Sequence, residues 1–339
     1  MNFRSIKDLN DAILKNLNQI PRDIDLIVGI PRSGMLPANL MALYMNRPYT
    51  DLDSFMNGHI YKAGARGQFI QVNDIKKILV VDDSIASGAA MRKVKSQLRE
   101  FEADYQLEYC VVHGVPGKEK QVDLCLELVP TPRYFQWNLF NHTSLEKACF
   151  DIDGVLCVDP TPEQNDDGPN YRNFLLNAQP LYVPGSKIGT LVTSRLEKYR
   201  KETINWLEQN GIRYDRLVML DLPDAAARQR ANNHGKHKAQ EYLRSNYVLF
   251  VESEKGQATE INRLTNKPVF CTETFEMIYD SKSLLYDIKS GRHLPFIRKI
   301  ALKLRDLFRM NYWSSARNAD QTVSVIGKLK DPSTNHLTS

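Results

Sequence analysis

Two pairs of aspartates follow apolar runs. Asp82 and Asp83 come after Ile78-Leu79-Val80-Val81, and Asp151 and Asp153 come after Ala148-Cys149-Phe150. What each pair can do depends on its surroundings. The first is followed by Ser84-Ile85-Ala86-Ser87-Gly88-Ala89-Ala90. Small residues of this kind let backbone N–H groups converge on an anion, and a helix starting there adds a favourable dipole. The two carboxylates cannot bind that anion directly. They suit sugar hydroxyls, which donate to them, or a metal held by those hydroxyls. The combination fits a sugar that carries a phosphate. In the second pair, Asp151-Ile152-Asp153-Gly154, alternate residues share one side of an extended chain and the glycine lets it turn away. One carboxylate can attack phosphorus while the other protonates the leaving oxygen. Phosphomonoester hydrolysis is among the slowest uncatalysed reactions, so covalent and metal assistance are both expected.

Alternating strand-like and helix-like stretches must position these groups, which predicts an α/β fold of two Rossmann-like parallel-sheet domains. Strands are expected over 25–30, 78–81, 107–112 and 124–129 in the first half, with a helix beginning near Met91. Residues 56–72, rich in Gly, Lys and Arg, read as a long mobile loop. The second half reads as strands over 147–152, 188–192, 216–220 and 248–251, with helices over 198–210 and 238–244. The expected domains are 1–143 and 144–280, followed by a C-terminal segment, 281–339.

The first aspartate turn resembles the phosphoribosyl-pyrophosphate (PRPP) motif of type I phosphoribosyltransferases. The resemblance implies that Asp82 and Asp83 hold the ribose diol and that Ala86, Ser87, Gly88, Ala89 and Ala90 cradle the 5-phosphate. Alanines stand where the family carries hydroxyls or, in purine-salvage members, an acid, so phosphate affinity would rest on backbone donors. Gly29-Ile30-Pro31-Arg32-Ser33-Gly34-Met35 is similar to the family's pyrophosphate loop, which implies PRPP contacts from Arg32, Ser33 and Gly34. Lys62 and Arg66 stand where the family has its flexible catalytic loop. Asp51 and Asp53 are candidates for the base that activates an acceptor hydroxyl.

The second turn resembles motif I of haloacid-dehalogenase-like (HAD) phosphatases. Leu191-Val192-Thr193-Ser194-Arg195 is similar to motif II, with Thr193 on the phosphoryl group, and Lys238 to the motif III lysine, with Lys236 as its rival. Val248-Leu249-Phe250-Val251-Glu252-Ser253-Glu254 is similar to motif IV, with glutamates in place of the family's aspartates. The implied metal ligands are Asp151, Asp153, Glu252 and Glu254, with Glu252 ahead of Glu254. Mg2+ is implied at both sites. Residues 158–187 leave room only for a small flap, in which Asn165-Asp166-Asp167-Gly168 and Tyr171-Arg172 are candidates for substrate contact.

Together the two resemblances imply a bifunctional enzyme: transfer of 5-phosphoribosyl from PRPP to an acceptor, then removal of the 5-phosphate. The chain to about Tyr279 resembles fused proteins of bacterial surface-polysaccharide synthesis that add ribofuranose in this way. That implies a glycan acceptor, lipid-linked, and leaves oligomeric state open. A nucleobase or nucleotide phosphoribosyltransferase with a fused phosphatase, and a PRPP-binding regulator, are the alternatives.

Composition is that of an ordinary globular protein, 42% hydrophobic and 25% charged, with a net charge of +5 that gives no case for nucleic acid. Five cysteines at unrelated spacings form neither a disulfide framework nor a zinc motif, which suits a reducing cytoplasm. The N-terminus is polar, with no signal-peptide pattern. Phe296, Ile297, Ile300, Leu304, Leu307 and Phe308 recur at helical spacing among Arg298, Lys299, Lys303, Arg305 and Arg309. Residues 294–310 therefore read as a basic amphipathic helix that could rest on the inner face of an anionic membrane.

Overall fold

The structure is a computed structural model of the 339-residue chain and describes residues 1–61, 74–231 and 233–280. Lys62, Arg66 and the 294–310 segment lie outside the described residues. Met1–Tyr279 form one compact unit.

The chain begins with β1 (Asn2–Arg4) and α1 (Ile6–Lys15). It continues through β2 (Leu26–Gly29), α2 (Met35–Met45), β3 (Tyr49–Asp51), α3 (Leu52–Met56), β4 (Lys77–Ile85), α4 (Ala89–Gln97), β5 (Gln106–Gly114), β6 (Leu124–Leu128) and β7 (Arg133–Phe135). Strands β2 to β6 make an all-parallel sheet in the order β3-β2-β4-β5-β6. Its strands read as continuous apolar runs because both faces are covered. Leu26, Val28, Ile78 and Val80 enter one core cluster, and Ile27, Leu79 and Val81 enter the other. β1 pairs with β7 in a separate two-stranded parallel sheet.

The second half runs β8 (Ala148–Phe150), α5 (Pro169–Asn177), β9 (Ile188–Leu196), α6 (Arg200–Gln209), β10 (Tyr214–Leu220), α7 (Ala225–Ala231), α8 (His234–Arg244), β11 (Leu249–Glu252), α9 (Lys255–Thr265), β12 (Val269–Cys271) and β13 (Glu276–Ile278). The sheet order is β10-β9-β8-β11-β12-β13. It is parallel except at its edge, where β13 returns antiparallel to β12, so a sheet expected to be mostly parallel is mixed at that edge. Neither of those three-residue strands is long enough to show a period in sequence.

Topology locates the two sites. In each of the two larger sheets the strand order reverses once, between β2 and β4 in one and between β8 and β11 in the other. Such reversals leave a crevice beyond the carboxyl ends of the two strands, where ligands of open α/β sheets bind. Both aspartate pairs lie at those ends.

Three local expectations need correcting. Asp82 and Asp83 do not follow the strand but lie within it, because β4 goes on pairing with β5 as far as Ile85 opposite Gly114. The phosphate loop is thereby shortened to residues 86–88, and α4 starts at Ala89 rather than Met91. Lys238 is not at a helix start, since α8 begins one turn earlier, at His234.

Candidate functional site

At the first crevice, alternation along β4 turns Asp82 to a half-open face and buries Asp83. Asp82 Oδ1 accepts from the Asp83 amide at 2.8 Å. Desolvation first, and the Asp83 charge second, push the Asp82 carboxyl up to about 8. The Asp83 carboxylate accepts from the indole N–H of Trp137 at 2.7 Å. Among the described residues neither acid forms an ion pair at contact distance, although the Asp83 charge is felt by Arg133. Ala86, Ser87, Ala89 and Ala90 are exposed around buried Gly88, so the loop is open to a ligand. The Ser87 hydroxyl accepts from the Ala89 amide at 3.3 Å.

The 30–34 turn after β2 lies directly against this pair. A Cβ on Gly34 would stand 2.6 Å from the Val81 carbonyl and 3.0 Å from Asp82 Cα, so only glycine permits the approach. Arg32 is exposed and Ser33 half-buried at the mouth of the crevice. The structure therefore brings Arg32, Ser33, Gly34, Asp82, Asp83 and residues 86–90 to the same strand ends.

Asp51 is not placed as a general base. It ends β3 and caps α3, accepting from the Ser54 amide at 2.9 Å and the Ser54 hydroxyl at 2.6 Å, and from the Tyr61 hydroxyl. Burial pushes its carboxyl up, but the Ser54 and Tyr61 hydrogen bonds outweigh that and hold it down at about 2. A carboxylate of that pKa is a poor proton acceptor. Asp53 is an exposed first-turn residue of α3.

At the second crevice, Asp151 sits one residue past β8 and its amide still donates to the Val251 carbonyl at 2.9 Å. Lys238 is 1% exposed, and its ammonium donates to Asp151 Oδ2 at 2.6 Å, Glu252 Oε2 at 2.7 Å and Gln257 Oε1 at 2.9 Å. Burial opposes the lysine charge, but the two facing carboxylates outweigh it and raise its pKa. Burial likewise raises Asp151, against the pull of Lys238. Lys236, the rival, is exposed, because residues two apart on a helix face different sides.

Asp153 has a cation of its own, which the sequence did not announce. Arg195 is fully buried and donates through Nε at 3.1 Å and Nη2 at 2.7 Å to the two carboxylate oxygens. Gly154 turns away at φ 71°, and a Cβ there would stand 2.5 Å from that of Ser253. Thr193 is fully buried, and its hydroxyl accepts from the Arg195 amide at 3.2 Å. The neighbouring Ser194, rather than Thr193, lines the cavity over Asp151.

That cavity has a volume of about 440 Å³, with Asp151 and Lys238 lining it opposite the polar groups of Asn165, Ser194, Arg228 and His234. Arg228 donates to the Ser194 carbonyl at 3.4 Å and to Asn165 Oδ1 at 3.2 Å, and His234 Nδ1 lies 2.8 Å from the Ser194 hydroxyl. Burial lowers the His234 pKa, which keeps the ring neutral. Arg228 and His234 carry no motif and become visible only where α7 and α8 fold over β9.

Of the flap residues, Asn165 and Tyr171 reach the cavity. Asp166 instead accepts from the amides of Gly168, Asn170 and Tyr171 at the start of α5. Asp167 accepts from Lys198, Tyr199 and the Ala225 amide, which ties the flap to α7. Arg172 lies on the surface, 3.7 Å from Glu202.

The expected Mg2+ cage does not fit these positions. Among the described residues no three His, Cys, Asp or Glu side chains are arranged to hold a metal. Lys238 lies between Asp151 and Glu252, Arg195 takes both oxygens of Asp153, and exposed Glu254 accepts from Gln257 at 2.6 Å.

Comparison with known proteins bears on the first site. Residues 2–142 match the family model described as the phosphoribosyl transferase domain, and this region has a fold of that type. The chain is 33% identical over 98 residues to the transcriptional regulator GfcR of Methanococcoides burtonii, covering 28% of this chain and 48% of the relative. It is 29% identical over 99 residues to transcriptional regulator GfcR 2 of Methanosarcina acetivorans, again covering 28% and 48%. The chain thus spans about half the length of the curated relatives it matches. Among solved structures it is similar to the Helicobacter pylori xanthine-guanine-hypoxanthine phosphoribosyltransferase, at 18% identity and TM-score 0.31, covering 41% of this chain and 92% of that one. The purine phosphoribosyltransferase of Pyrococcus horikoshii follows at 17% and 0.29, covering 40% and 92%.

Proposed function

We propose that the chain is a bifunctional enzyme that transfers 5-phosphoribosyl from PRPP to a glycan acceptor at the first crevice and removes the 5-phosphate at the second. The observation that carries this reading is the pairing of two unlike aspartate pairs, each at a strand-order reversal, in one compact unit. At the first, the ribose diol meets Asp82 and Asp83, the 5-phosphate the amides of residues 86–90, and the pyrophosphate Arg32, Ser33 and Gly34. The Asp82 carboxyl must give up its proton to accept from a ribose hydroxyl.

At the second, Asp151 is the nucleophile. Lys238 orients it and neutralises charge as phosphorus is attacked. Arg195 fixes the Asp153 carboxylate, which must take up a proton before it protonates the leaving oxygen and then takes one from the water that releases phosphate from Asp151. Ser194, His234 and Arg228 face the transferred phosphoryl group and the sugar behind it. A phosphatase following a phosphoribosyltransferase makes sense for a ribofuranosyl glycoside and destroys the product of nucleotide salvage. A lipid-linked acceptor, and contact of residues 294–310 with a membrane, belong to the same proposal. No helix of the described residues is long and apolar enough to cross a membrane.

The test is Asp151→Asn with PRPP and a panel of glycan acceptors. The variant should accumulate a phosphorylated ribosyl-glycan where the wild type forms plain ribosyl-glycan. Turnover on a free nucleobase, with no glycan product, overturns the reading.

One observation favours a second reading: both curated relatives are named transcriptional regulators. A PRPP-binding regulator would bind PRPP without releasing pyrophosphate, and the same assay separates the two.

A further inference from the structure

The indole of Trp137 reaches into the first crevice from the segment that joins the two sheets. It donates to Asp83 Oδ2 at 2.7 Å, and Asp83 is 4% exposed. The indole is held on its own side by a stack. Its ring lies 4.9 Å from Phe135 at 12°, and Phe135 lies 5.3 Å from His113 at 14°. Arg133 fastens the start of the segment to the ends of β4 and β5, donating to the carbonyls of Ile85 at 2.8 Å and His113 at 3.2 Å.

The same segment is built into the second sheet's core. Tyr134, Leu139 and Leu145 pack in one cluster with Phe150, Leu191 and Val251. Phe140 stacks on Tyr182 at 4.6 Å and 5°. Trp137 is thus fixed at both ends before it meets Asp83.

We propose that Trp137 is a positioning residue for PRPP binding, holding the Asp83 carboxylate in its ribose-binding orientation through the indole N–H. The inference rests on the phosphoribosyl reading of the first site. A carboxylate buried in a β-strand needs a donor, and a neutral N–H supplies one without cancelling its charge. A cation in the same place would neutralise the acid and weaken it as an acceptor for a ribose hydroxyl. The first site consequently depends on a side chain packed on the first sheet's core, in a segment whose neighbours Tyr134 and Leu139 enter the core of the second.

Trp137→Phe keeps the aromatic stack and removes only the donor. PRPP affinity, measured by calorimetry, should fall roughly ten- to a hundredfold, the usual range for a hydrogen bond to a charged group. Because Trp137 acts through Asp83, the Trp137→Phe/Asp83→Ala double variant should bind PRPP no more weakly than Asp83→Ala alone. Tryptophan emission should also shift in Asp83→Ala, and that shift should vanish when Trp137 is Phe.

Wild-type affinity in Trp137→Phe, or losses that add in the double variant, overturns the inference and leaves the phosphoribosyl reading standing. Should Trp137→Phe not fold, unchanged emission in Asp83→Ala overturns it instead. A wild-type protein that binds no PRPP overturns the phosphoribosyl reading itself, and the inference with it.

Discussion

The two carboxylate pairs differ in how the protein meets their charge. Asp151 and Asp153 each face a buried cation, Lys238 at 2.6 Å and Arg195 at 2.7 Å. Asp82 and Asp83 sit side by side in a strand, and the donors they receive are neutral N–H groups. The second pair has its charge met within the fold, by Lys238 for Asp151 and by Arg195 for Asp153. The first pair makes no ion-pair contact among the described residues, and desolvation raises Asp82. On the proposed reading, such a pair is completed by a ligand that brings hydroxyl donors.

The sharpest way to break this contrast is Asp151→Asn. Phosphate release should fall by about 10⁴-fold or more, as for loss of a nucleophile, in a malachite-green assay on the ribosyl phosphate product. Wild-type release would remove Asp151 from the chemistry.

Lys238→Met comes next. It leaves Asp151 and Glu252 buried together without their ammonium, and should cost about 3–5 kcal/mol of stability in urea unfolding. Adding Glu252→Gln should recover part of that loss. If the single variant is as stable as wild type, the second pair is not internally compensated.

Asp82→Asn probes the other pair through pH. Native Asp82 keeps its proton to about pH 8, whereas its ordinary value is 3.8. The folded state thus holds more protons than the unfolded chain between those values, and stability falls as pH rises through the window. Asp82→Asn should remove that fall, raising Tm at pH 9 by about 3 °C or more relative to wild type. PRPP affinity of the wild type should rise with pH through about 8, as Asp82 ionises. Parallel Tm–pH curves for the two proteins would place Asp82 in an ordinary environment.

The smallest effect is expected at Asp51. Asp51→Ala removes a helix cap and should cost about 1 kcal/mol with little change in transfer rate. A thousandfold loss of transfer at unchanged Tm would restore Asp51 as the base.

Much of this was legible from sequence where signals are local. Apolar runs located β2, β4, β5, β8, β9 and β11, because strands covered on both faces need nearly every side chain apolar. Gly154 marked the turn after the second pair, which the structure gives at φ 71°. Strand ends were less legible. Asp82 and Asp83 look like a terminus in one dimension, yet pairing with β5 carries the strand past them. The choice of Lys238 over Lys236 needed the helix phase, which the true start at His234 supplies.

The sequence by itself determined which residue types stand at which strand ends: two acid pairs, a small-residue loop and a set of candidate cations. That information is local, written in apolar runs, glycines and neighbouring polar residues. Tertiary structure decided how the charges are met. Arg195 and Asp153 are 42 residues apart, Lys238 and Asp151 are 87, and Trp137 and Asp83 are 54. At the second site a buried cation is tolerated only beside a carboxylate, so those partners could be assigned once the strands were side by side.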